Sequence, residues 1–159
     1  TKTILAQQVP VVEFVAPDGR CVLAAKATDL GGGLWHYEYA VLNVDMDRQA
    51  GSFSIPVPIG VTVSNVGFHA VEHFNEAVNA VGGVPIDNAP WTPVVTVGSD
   101  ITWSTTTNPI RWGTMYNFRF DADGEPGDVT ATLGLFKPGV PASVSGMTVG
   151  PMGPPSYRG

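Results

Sequence analysis

Strict two-residue alternation is the feature that most constrains this chain. In residues 34–43, Trp35, Tyr37, Tyr39 and Val41 fall on one face of an extended strand, and His36, Glu38, Ala40 and Leu42 on the other. The pattern returns where Tyr116, Phe118 and Phe120 alternate with Asn117 and Arg119. A strand with one apolar and one polar face belongs to an antiparallel sheet that is covered on one side.

Further strand-like runs are spaced along the chain. They lie at residues 3–6, 11–15, 21–27, 52–58, 61–71, 94–97, 101–104 and 129–136. Residues 98–100 read as a hairpin turn, and the charged residues 45–48 as a second hairpin connection. Pro17-Asp18-Gly19 is a turn in which proline presets one angle and glycine takes the next. Only residues 75–81 suggest a helical turn, and residues 84–93 read as a long loop. The expected fold is all-β: an antiparallel β-sandwich, jelly-roll-like, with roughly eight to ten strands.

Length and composition fit one domain able to bury its own core without metals or disulfides. The chain has 159 residues, of which 14% are charged, against the usual ~25%. Few charges, with 19 glycines and 14 prolines, suit an extracellular β module. The net charge of −6 and the scattered cations oppose nucleic-acid binding, which needs a basic patch. No stretch approaches the ~20 apolar residues of a membrane helix, so membrane insertion is not expected. The single cysteine, Cys21, excludes an internal disulfide and reads as a small buried residue. No signal peptide is visible, so secretion would require a mature form of the chain.

Several segments together resemble an uncharacterised extracellular β-sandwich domain that recurs in secreted bacterial proteins, notably of planctomycetes. They are residues 35–41, 47–48 with 53–56, 67–69, 111–120 and 133–139. The likeness spans roughly residues 20–140 and implies fold and secretion, with no catalytic residues to carry over. It divides the chain into an N-terminal strand-forming arm (1–19), a sandwich core (20–140) and a Pro/Gly-rich tail (141–159), in which residues 150–155 suggest a short polyproline II segment.

Candidate sites are few. Asp121, Asp123, Glu125 and Asp128 offer carboxylates for Ca²⁺, although Pro126 stands where an EF-hand needs glycine and Thr132 where it needs glutamate. A solvated turn is favoured, and no cofactor is expected. Arg48 is suited to clamping a carboxylate or loop carbonyls, and Asp45 and Asp47 flank it. His69 and His73 have a zinc-like spacing, but no Cys or carboxylate completes a set. Gly31-Gly32-Gly33 lacks the context of a phosphate loop. No Gly-x-Ser-x-Gly elbow occurs, and an enzyme is not expected. Trp35 and Trp112 read as core residues, whereas Trp91 in the long loop is the candidate for glycan contact.

Two functions follow. The leading one is a secreted, non-enzymatic structural module that associates with itself, as an oligomer or a filament. Its arm would donate Ile4, Val9, Val11 and Phe14 to a neighbour's sheet, unless the arm pairs within its own domain. The alternative is a polysaccharide-binding module using Trp91.

Overall fold

A computed structural model describes residues 11–72 and 87–153. Ten strands fill it: β1 (Val11–Ala16), β2 (Gly19–Gly31), β3 (Leu34–Asn43), β4 (Ala50–Pro56), β5 (Val63–Ala70), β6 (Thr92–Thr96), β7 (Asp100–Ser104), β8 (Met115–Ala122), β9 (Pro126–Leu135) and β10 (Ser143–Pro151). They form two five-stranded antiparallel sheets packed face to face, ordered β1-β2-β3-β8-β5 and β10-β9-β4-β7-β6. The chain is an antiparallel β-sandwich. Among the described residues no helix is long and apolar enough to cross a membrane.

The alternation read from the sequence sets the core. Tyr37, Tyr39 and Val41 of β3 stand opposite Phe120, Phe118 and Tyr116 of β8, and all six are buried. The second sheet meets them with Phe53, Ile55, Ile101, Trp103, Ala131 and Leu133. Phe118 lies 4.8 Å from Phe53 and 5.3 Å from Trp103, ring centre to ring centre. Among the described residues all three buried tyrosine hydroxyls find acceptors, Tyr37 at the Gly124 carbonyl (2.6 Å), Tyr39 at that of Val149 (2.8 Å) and Tyr116 at Asn108 Oδ1 (2.6 Å).

Residues 44–49 are not a hairpin turn, contrary to the sequence expectation. β3 and β4 belong to different sheets, and the connection arches over the end of the sandwich. Asn43 holds the arch from inside. Its amide donates to the carbonyls of Met46 (3.0 Å) and Ile110 (2.9 Å), and its oxygen accepts from the Met46 N–H (2.8 Å). Met46 is buried beneath it.

The chain segments outside residues 20–140 also enter the sandwich. β1 pairs with β2 from Val11↔Ala24 to Ala16↔Gly19. β10 pairs with β9 along its whole length, burying Val144 and Thr148. Residues 143–151 are therefore a strand rather than a tail, and Gly150 and Pro151 belong to it. Gly146 of β10 lets β1 approach, since a Cβ there would meet Phe14 and Val12. β1 and β10 close one long side of the sandwich, while β5 and β6 barely touch along the other.

Candidate functional site

The four candidate calcium ligands do not converge. Asp121 ends β8 in the first sheet, and Asp128 lies on β9 in the second. The acidic turn is shorter than expected because strand runs through Ala122 and resumes at Pro126. Asp123 accepts the Thr62 N–H at 2.8 Å, and Asp121 accepts from His36 Nδ1 at 2.5 Å. Among the described residues no three His, Cys, Asp or Glu side chains come together as a metal ion needs.

His36 sits between two carboxylates on the outer face of the first sheet. Its Nδ1 faces Asp121, and its Nε2 lies 3.2 Å from Glu38. Partial burial lowers its pKa, but the hydrogen bonds to Asp121 and Glu38, reinforced by their charge, outweigh this and leave it raised from 6.5. His69 is exposed on β5, and His73, the other residue of the zinc-like spacing, lies outside the described residues. Cys21 is buried opposite Phe14, and burial with the Asp18 and Asp45 carboxylates nearby pushes its thiol up to about 12.

Arg48 clamps carbonyls, one of the two roles its planar fork allows. Nε donates to Lys137 O (3.1 Å) and Nη1 to Pro141 O (2.5 Å), pinning the turn between β9 and β10. Asp45 accepts the Arg20 N–H (2.9 Å), and Asp47 pairs with Lys137 (3.1 Å).

Two tryptophans exchange their expected places. Trp91 is 2% exposed. Its ring stacks on Phe68 (5.8 Å) and meets Phe118 (5.3 Å), filling the side where β5 and β6 diverge. It is unavailable to a glycan as placed. Trp112 is 60% exposed because it stands in the turn before β8, where Gly113 takes φ 72°, and not in a strand. Trp35 is partly buried against the core.

The arm residues divide. Phe14 is buried in this chain's own core, and Val11 is exposed on the outer face of β1. Ile4 and Val9 lie outside the described residues. The strand-forming capacity of residues 11–16 is thus satisfied at home, against β2.

The surface that sequence reasoning missed is β6. Among the described residues it pairs only with β7, and all five of its residues are exposed. Val95 shares the core-facing side with Ile101, yet it remains 45% exposed. Val97, just beyond, is 85% exposed. Of the other edges, β10 lies against β1, and the remaining two are interrupted or charged. β5 is broken by a bulge between Ser64 and Gly67, where Asn65 takes φ 51°. β1 carries Glu13, paired to Arg20 at 2.9 Å. Pro93 inside the run Thr92-Pro93-Val94-Val95-Thr96 was the readable sign of an edge strand. The chain matches no protein-family model, no curated protein and no solved structure.

Proposed function

We propose that this chain is a secreted, non-enzymatic structural module that associates with a second copy of itself, edge to edge along β6. The observation that carries this is β6, uncharged, exposed along its whole length and, among the described residues, an edge strand. Two copies related by a two-fold axis would set β6 against β6 antiparallel, and a two-fold contact is self-complementary and closed. Val94, Val95 and Val97 supply the apolar surface, and no charge in β6 opposes pairing. The polar groups suited to chemistry are engaged elsewhere: His36 with Asp121, Asp123 with the Thr62 amide, Asp47 with Lys137. Secretion is supported by the low charge content and by the resemblance described above.

A five-residue edge makes a modest contact. Each buried valine is worth about 1.5–3 kcal/mol before the cost of association, so a dissociation constant of roughly micromolar or weaker is expected. Native mass spectrometry across a concentration series tests this, with Val95→Lys as the comparison. Wild type should show dimer and the variant monomer. A wild-type chain that stays monomeric, or a variant whose mass is unchanged, sinks the proposal.

A further inference from the structure

The outer face of the second sheet is covered with hydroxyls in register. Thr92, Ser104, Ser52, Gly134 and Ser143 form one row across all five strands. Val94, Thr102, Ser54, Thr132 and Ser145 form the next. Within that second row Ser54 and Thr102 are hydrogen-bonded at 2.8 Å.

Where the first row meets the ends of β4, β7 and β9, an open groove of about 550 Å³ runs along the surface. Ser52, Ser104, Thr105 and Thr106 line it, Gly51 and Gly134 give it depth, and Leu135, Phe136 and Ala142 complete its wall. Both glycines are structural requirements of the groove. A Cβ at Gly134 would overlap the Ser52 hydroxyl, and one at Gly51 would stand 3.0 Å from the Phe136 ring. Gly51 is the extra residue of a bulge between β4 and β9, a device that re-aims neighbouring side chains.

Phe136 rests on this bulge and is 37% exposed. Its backbone is fixed on both sides. Its own N–H donates to Gln49 O (2.9 Å), that of Lys137 to Arg48 O (2.9 Å), and that of Leu135 to Ala142 O (3.0 Å). The Arg48 fork holds the turn that follows. On the opposite rim Thr105 Oγ1 accepts the amides of Thr107 and Asn108, which orders the loop carrying Thr106.

From this geometry we infer that the groove binds an uncharged polysaccharide chain. Its lining holds hydroxyl donors and acceptors, one fixed aromatic ring and no ionised side chain. A phosphate, a uronate or a cation would find no counter-charge there. A neutral sugar matches it on both counts, with hydroxyls for the serines and threonines and an apolar ring face for Phe136. Because the groove is open to solvent rather than enclosed, it admits the interior of a chain. The site differs from the β6 edge and does not depend on dimerisation.

The test uses neutral hexasaccharides of β-1,4-glucose, β-1,4-xylose and β-1,4-mannose, with an oligogalacturonate as the charged comparison. Amide chemical shifts are followed by NMR in wild type and in Val95→Lys, so the result does not hinge on self-association. At least one neutral hexasaccharide should saturate shifts at Gly51, Ser104, Thr106 and Phe136 in both proteins. Phe136→Ala should weaken binding about tenfold. Thr106→Glu, at an exposed position that leaves the fold intact, should abolish it. If none of the three shifts these amides at millimolar concentration, the inference is overturned. It is equally overturned if oligogalacturonate binds as well as they do, if a peptide alone binds there, or if neither variant changes the affinity.

Discussion

The Trp91 indole N–H donates to the carbonyl of Asn108 at 2.7 Å, and both residues are buried. Asn108 also donates through Nδ2 to Ala89 O (3.0 Å) and accepts from the Tyr116 hydroxyl (2.6 Å). The Asn108 side chain therefore ties the segment before β6 to the start of β8, while its backbone carbonyl holds Trp91. Asn108→Ala keeps the bond to Trp91 but removes the acceptor of the buried Tyr116 hydroxyl and the donor to Ala89 O, and should cost about 1–3 kcal/mol. Trp91→Ala should cost about 3–5 kcal/mol, with a cavity against Phe68 and Phe118. Urea unfolding measures both; a loss of a few tenths for Trp91→Ala would place Trp91 at the surface, and the same for Asn108→Ala would mean that its side chain does not tie the two segments.

Phe118 touches Phe53, Phe68, Trp91 and Trp103 across the two sheets. Phe118→Ala should remove about 3–5 kcal/mol of stability. A small loss would mean that this ring does not join the two sheets.

Protonated His36 is held by Asp121 and Glu38, so its folded pKa lies above 6.5. A group whose pKa rises on folding stabilises fully below its unfolded value and loses that contribution as pH climbs through the folded one. Stability of wild type should therefore fall relative to Asp121→Asn as pH rises through that window. Denaturation curves taken between about pH 5 and 9 report it. A wild-type-to-variant difference that is flat with pH contradicts the assignment.

Arg48→Lys keeps the charge but loses the fork that reaches Lys137 O and Pro141 O together. It should cost about 1–2 kcal/mol and raise hydrogen exchange in the turn between β9 and β10. Unchanged exchange there would mean that the strands alone fix the turn.

Calcium or a chelator should leave the melting temperature within about one degree, because specific binding to the native state would raise it. Asp121 and Asp123 already hold protein partners on separate elements. A calcium-dependent rise would show that the acidic turn rearranges around a metal.

The residues show on which side of a strand each side chain belongs, because alternation is a local property of the extended backbone. Spacing alone places Tyr37, Tyr39, Phe118 and Phe120 in the core, and the turn residues mark the hairpin at residues 98–100. Which strands become neighbours is not local. The charged turn after Asn43 reads the same whether it closes a hairpin or arches between sheets, and only the neighbours the strands take, β2 and β8 for β3 and β9 and β7 for β4, decide it. Trp91 and Trp112 lie in equally ambiguous stretches. One is covered because Asn108 and Phe68 arrive from distant parts of the chain, and the other is exposed because the turn before β8 carries it outward. The β6 edge and the hydroxyl groove depend likewise on strand order and register, since an edge is defined by the missing neighbour and a groove by rows from different strands. Periodicity along one segment records neither.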